Sequence, residues 1–233
     1  MNIQMSLQKK DFIEIEFTGR VKNGEIFDSN IKEDLEKFHE GHHHEVKTET
    51  FALCLGEGMF LKGVEDFLIG KPETPATYDI ELSPENAFGK RNPQMVQMMP
   101  SKVFREQRLN PVPGVAFNFD GRVGRVLAVS GGRIIVDFNN PIAGKEVVYK
   151  VKVLRKINDL HDKAKALIKF LFREDLKFEI KDKKIILEIE KQMVEFVKLF
   201  KEKFKEMLDL DLEVLEFVKE EKKAEKTEEI GNQ

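Results

Sequence analysis

The sequence predicts an α+β fold in three parts. Three observations carry this. Up to about Phe88, short apolar–polar alternations are punctuated by Gly, Pro and Asn-Gly, as in a strand-rich segment. Between Gly89 and Asn139 lies a meander with turns at Asp120-Gly121 and Gly131-Gly132. After Arg155, Pro is absent, Gly waits until Gly231, and apolar residues recur at helical spacing.

Taken in order, "FIEIEFTG" places Phe12, Glu14 and Glu16 on one strand face and Ile13, Ile15 and Phe17 on the other. Asn23-Gly24 turns the chain, since both residues tolerate positive φ, and the next strand carries Phe27 directly before Asp28. "ETFALCLG" is a further strand. Val64, Phe67 and Leu68 suit a short helix lying on the sheet, and "ATYDIELSP" is a strand stopped by Ser83-Pro84. "GKRNPQMVQMMPSKVF" shows little periodicity. Val147 to Leu154 is a strand with Val147, Tyr149, Val151 and Val153 on one face. Leu160, Ala164, Leu167, Ile168 and Leu171 form one helical stripe; Met193, Val197, Phe200, Phe204 and Leu208 form another. "KFEIKDKKIILEI" reads as a hairpin turning at Asp182-Lys183, "LDLEVLEFV" as a strand, and the end as a solvated tail.

Composition narrows the function classes. The chain has 233 residues, 41% hydrophobic and 35% charged, with a net charge of −3. Basic residues are read as spread along the chain, so nucleic-acid binding is not expected. No apolar run approaches the ~20 residues that span a bilayer, no signal-peptide core opens the chain, and the single Cys54 forms no internal disulfide. The expectation is a cytoplasmic protein with no membrane partner. A phosphate-binding Gly loop, a nucleophile elbow and a CxxC pair are all missing from the sequence. His39, His42, His43 and His44 fall within six residues, but read best as a solvated loop that takes up metal adventitiously, so no dedicated metal site is assigned.

The blocks "FTGRVKNGEIFDSN", "FALCLGEGMFLKGVEDFLIG", "ELSPENAFG" and "NPIAGKEVVYKVKVL" resemble, in order, those of the FKBP-type peptidyl-prolyl isomerases. The resemblance implies an antiparallel half-barrel sheet around a short helix, formed by residues 1–88 plus 140–155. It implies that 89–139 is an insert in the flap, as in the SlyD-like subgroup, where the insert acts as a chaperone. By position, 156–233 resembles the extra α+β domain of long archaeal members. Carried over residue by residue, Phe27, Asp28, Phe88 and Tyr149 would be catalytic. Phe17, Phe51, Leu53, Phe60, Leu61, Val64 and Ile142 would bind substrate. Phe17 and Phe88 stand at the family's Tyr positions and Tyr149 at a Phe position, while Val64 replaces a floor Trp. For Phe27 and Asp28 to serve one cavity, a strand edge or bulge must turn both toward it.

The implied activity is prolyl isomerisation without a cofactor. Peptide-bond rotation faces a barrier of about 18–20 kcal/mol from resonance, and an apolar pocket lowers it without any nucleophile. Met95, Val96, Met98 and Met99 are the expected client-binding residues of the insert, because Met adapts to irregular apolar partners; the competing use of these Met is to fill the insert's own core. Expected partners are unfolded polypeptides containing X-Pro and a second copy of the chain through the C-terminal domain. The rival function is a holdase with a vestigial isomerase pocket. Metal delivery ranks lower, since no His follows His161.

Overall fold

The computed structural model describes residues 5–38, 48–73 and 75–217. The His39 and His42–His44 cluster and the charged tail lie outside the described residues. Two compact units divide the chain, 1–51 with 55–156 and 157–233 with 52–54. No helix among the described residues is long and apolar enough to cross a membrane.

Up to residue 157 the elements are β1 (Phe12–Val21), β2 (Ile26–Ser29), α1 (Lys32–Phe38), β3 (Phe51–Cys54), α2 (Lys62–Leu68), β4 (Ala76–Leu82), β5 (Val96–Pro100), α3 (Ser101–Glu106), β6 (Ala116–Phe119), β7 (Arg122–Ser130), β8 (Arg133–Asp137) and β9 (Val147–Ile157). A five-stranded sheet runs β2-β1-β9-β4, with β3 also paired to β1. β1 and β2 form the antiparallel hairpin expected from Asn23-Gly24, and Asn23 takes φ 59° at its turn. Asn30 then ties the end of the hairpin back to β1. Its Oδ1 accepts from the Phe17 N–H at 2.6 Å, and its Nδ2 donates to the carbonyls of Ile15 (3.1 Å) and Glu49 (3.2 Å).

The alternation in β1 holds from Ile13 to Phe17. Phe12 departs from it: it is buried, as is Ile13, because the start of the strand is covered on both faces. α2 packs against β4 and buries Val64, Glu65 and Leu68, whereas Phe67 is 36% exposed and lies edge-on to Tyr78 at 5.8 Å. The helix comes close to the sheet because residue 63 is glycine; a Cβ there would meet Leu82 and the Asn86 carbonyl, each at 2.7 Å. β9 runs three residues past the expected Leu154.

The insert is a separate four-stranded sheet, β5-β8-β7-β6. Its core is Phe104, Phe119, Val126, Ile134 and Val136, with Met99, Val103, Leu109, Phe117 and Phe138 packed against it. The stretch read as aperiodic forms both β5 and α3. Its signal was hidden because β5 carries Met on both faces and α3 is a single six-residue segment holding one buried anchor, Phe104.

The second unit contains α4 (Leu160–Phe172), β10 (Phe178–Lys181), β11 (Lys184–Glu190), α5 (Val194–Lys198), α6 (Lys201–Leu208) and β12 (Asp211–Phe217). Asp159 caps α4 by accepting from the Asp162 N–H at 2.9 Å. Asp182 and Lys183, at φ 49° and 60°, make the hairpin turn between β10 and β11. β12 pairs parallel with β11, so α5 and α6 are the crossover that such a pair requires. The second apolar stripe breaks at Leu199-Phe200 into these two short helices. Val197, Phe204 and Leu208 are buried, but Phe196 is 46% and Leu199 77% exposed.

Candidate functional site

Six aromatic rings form one contact cluster against the five-stranded sheet. Phe17 (β1) lies 4.8 Å from Phe60 and 6.2 Å from Phe51, measured between ring centroids. Tyr149 (β9) lies 6.1 Å from Phe17, 5.5 Å from Phe60 and 5.8 Å from Phe27. Phe27 in turn stands edge-on to Phe88 at 5.4 Å. These spacings fall within the range in which rings attract one another beyond simple burial.

Burial divides the rings by role. Tyr149 and Phe17 are buried and form the floor, while Phe27, Phe51, Phe60, Phe88 and Leu61 are half-buried and present surface. Leu53 and Val64 are fully buried, so neither offers surface to a substrate. Ile142 is half-buried, in the loop that leads from the insert to β9.

A bulge explains the Phe27-Asp28 pair. Gly19 pairs with Asp28 and Arg20 with Ile26, leaving Phe27 as the extra residue of β2. The bulge frees Phe27 from strict alternation, so its ring reaches Tyr149 while Asp28 stays beside the same tyrosine. Gly19 makes room for both rings, since a Cβ there would stand 2.8 Å from the Tyr149 ring and 3.1 Å from Phe27.

The polar groups of the box are few. Asp28 is solvent-accessible, yet desolvation by the surrounding walls raises its pKa above the usual 3.8, against a smaller lowering by a hydrogen bond from the Ser29 backbone. The Tyr149 hydroxyl is pushed well above its ordinary value, first by burial and then by the charge of Asp28. Tyr149 is paired with Ile80 through the β4–β9 ladder, but among the described residues its hydroxyl makes no hydrogen bond. Tyr149 is 1% exposed, so its hydroxyl lies at the bottom of the box with only a trace of accessible surface. The box thus has a phenolic donor, but from β9 rather than from positions 17 and 88.

Linkage gives Asp28 a signature of its own. Its folded pKa lies above its unfolded one, so the folded state binds more protons in the window that opens near 3.8. Stability therefore falls as pH rises through that window and stays lowered above it. Asp28→Asn should melt at a higher temperature than the parent at pH 7, with the gap closing as pH falls below the unfolded pKa. Equal melting temperatures at neutral pH would show that the carboxylate is not strained by its surroundings.

Sequence reasoning missed Glu65. This α2 residue is 1% exposed, and its carboxylate accepts three backbone N–H groups: Gly56 (2.7 Å) and Gly58 (3.2 Å) on Oε2, Phe60 (2.6 Å) on Oε1. It fixes the loop that delivers the Phe60 wall. The available signal was an acidic residue on the buried stripe of a helix, directly after Val64.

The insert offers a second surface. Direct cross-strand partners share a face, so Met98, Ile135 and Ala128 form a row on the side away from the insert's core. Met98 is 61% and Ile135 36% exposed, with Leu127 and Val123 also exposed nearby. Of the expected client-binding residues, Met98 is on this row. Val96 is half-buried on the same face, Met95 is half-buried ahead of β5, and Met99 is turned onto the core.

Comparison with known proteins follows this geometry. The family described as FKBP-type peptidyl-prolyl cis-trans isomerase matches residues 4–105, and "FKBP26, IF domain" matches residues 97–142. The chain is 25% identical to the short-type peptidyl-prolyl cis-trans isomerase of Methanocaldococcus jannaschii, covering 63% of this chain and 92% of that one. It is 30% identical to a probable FKBP-type 16 kDa peptidyl-prolyl cis-trans isomerase of Pseudomonas fluorescens, over 61% and 86% of the two chains. It is 29% identical to the FKBP-type isomerase SlyD of Treponema pallidum, over 73% and 88%.

Proposed function

Since this chain belongs to the FKBP-type peptidyl-prolyl cis-trans isomerases and carries an insert-in-flap domain, we propose that the aromatic box around Tyr149 is its catalytic pocket and that the insert holds unfolded clients for it. The observation that carries the first half is the set of six rings with one carboxylate and one phenolic hydroxyl that makes no hydrogen bond within the protein. The planar amide is more dipolar than the twisted transition state, so apolar walls raise the ground state relative to the barrier. Phe27, Phe51, Phe60 and Phe88 would clasp the proline ring. The Tyr149 hydroxyl would donate to the carbonyl of the twisting bond, and Asp28 would meet the polarity that develops at its other end. Such a mechanism needs neither nucleophile nor proton transfer. An exchange assay on a short X-Pro peptide tests it. Tyr149→Phe should keep the fold and lose activity, whereas equal activity in the Phe variant would remove the hydroxyl from the mechanism.

The apolar row of the insert supports the second half of the reading. Isolated apolar residues are normal on a surface, but a contiguous row on an uncovered sheet face fits a binding site. A client held there is delivered to the pocket at raised effective concentration. Replacing residues 90–139 by a short loop should spare turnover of short peptides. It should slow catalysed refolding of a proline-limited protein by about tenfold or more, as the tether is lost. Refolding catalysis at the parental level would place client binding elsewhere.

The second unit supports self-association. Phe172, Phe196 and Phe200 pack ring to ring at 5.3–6.4 Å, and Phe196 and Leu199 stand open beside them. A two-fold contact through this patch would place two pockets and two inserts around one client. Light scattering should give a dimer for the chain and a monomer for Leu199→Glu. A monomeric parent at micromolar concentration refutes it.

A further inference from the structure

The outer face of the insert's sheet has a charge pattern as well as an apolar row. Residues 89–139 hold eight Lys and Arg against three Asp and Glu, although the whole chain carries −3. Lys and Arg are no denser here than along the whole chain, in keeping with the even spread read from the sequence; the local positive balance arises because Asp and Glu are sparse.

Strand register places two of them. On one side of the Met98–Ile135–Ala128 row, Arg125 lies opposite both Ala116 and Asp137. On the other side, Arg133 lies opposite Pro100 and Ser130. Same-face neighbours along a strand are about 7 Å apart, so the apolar row runs between two arginines at roughly that distance. Asp137 does not neutralise Arg125. Its carboxylate is engaged by Arg91 at 2.6 Å and by the Asn139 side chain at 2.6 Å. Among the described residues, neither Arg125 nor Arg133 makes an ion pair, and both are exposed. Beside Arg125 the face deepens into a groove of about 530 Å³, walled by Val123, Leu127 and Phe138; its other charged lining is Lys145 and the Arg91–Asp137 pair.

We propose that this face selects polypeptide segments in which an apolar side chain is flanked, two residues away on each side, by Asp or Glu. The inference rests on the client-binding reading of the insert and names the class of client. An extended segment lying along the strands projects residues i−2, i and i+2 to one side at the spacing of Arg125, the apolar row and Arg133. The apolar side chain gains burial while each carboxylate meets an unpaired guanidinium, whose planar fork suits it. A lysine-flanked segment meets like charge at both positions and is rejected.

The test uses the full chain and three labelled, proline-free peptides that share one apolar residue and differ only in Glu, Gln or Lys at positions ±2. Fluorescence anisotropy should show the Glu peptide binding about tenfold more tightly than the Lys peptide, a difference of about 1.4 kcal/mol. Added salt and the Arg125→Gln/Arg133→Gln double variant should each reduce that ratio to about twofold or less. Equal affinities for all three peptides, or a preference that survives the double variant, would overturn the charge selection and leave client binding intact. If none of the peptides and no unfolded protein binds, the client-binding reading itself fails. Displacement of the Glu peptide by a short RNA at lower concentration would assign the arginines to nucleic acid instead.

Discussion

Glu65→Ala should lower the stability of the first unit by about 3–5 kcal/mol, among the largest losses a single residue produces. The substitution removes the acceptor for the N–H groups of Gly56, Gly58 and Phe60 at once, and leaves a cavity beneath the loop. Glu65→Gln should fall between the two, because the amide keeps one acceptor oxygen but turns an NH₂ toward donors. Urea unfolding of the three proteins measures this. A second consequence lies in the pocket. With the loop released, Phe60 loses the anchor that holds it 4.8 Å from Phe17 and 5.5 Å from Tyr149, so KM for a short peptide should rise even where the variant is fully folded. A loss below about 1 kcal/mol for Glu65→Ala would show that water or other groups already satisfy the loop.

Much of this was legible in the sequence, and the reasons differ by element. Turn residues with a steric requirement announced the hairpins: Asn23-Gly24, Asp120-Gly121 and Asp182-Lys183 each join the strands expected beside them. β9 was legible because Val147, Tyr149, Val151 and Val153 share one buried face. β5 was not, because its Met residues serve both the core and the open face. Nor does strand alternation reveal a bulge, so the way Phe27 and Asp28 come to share one tyrosine needed the β1–β2 register. The aromatic residues of the box were identified by resemblance. Which of them form its floor depended on packing. The charge on the insert's face was hidden by averaging: the chain's −3 conceals a basic module whose arginines register places on either side of an apolar row.

Phe27→Ala should reduce kcat/KM on a short X-Pro peptide at least tenfold, or about 1.4 kcal/mol of transition-state stabilisation. The ring is half-buried and touches Tyr149 and Phe88 at its edges, so its removal opens one wall of the box to water. Water there solvates the planar amide and gives back the advantage of the dry pocket. The stability cost should be modest, since the residue is the bulged, unpaired position of β2 rather than part of the packed floor. Phe67→Ala is the matching control, an exposed ring on α2 that packs on Tyr78 and touches none of the six. The decisive measurement is the cis–trans exchange rate of that peptide, read by NMR exchange spectroscopy for the parent, Phe27→Ala and Phe67→Ala at matched folded fractions. Catalysis by the parent and by Phe67→Ala, with at least a tenfold loss in Phe27→Ala, is the result the aromatic box requires; a fully folded Phe27→Ala that exchanges the peptide as fast as the parent would contradict it.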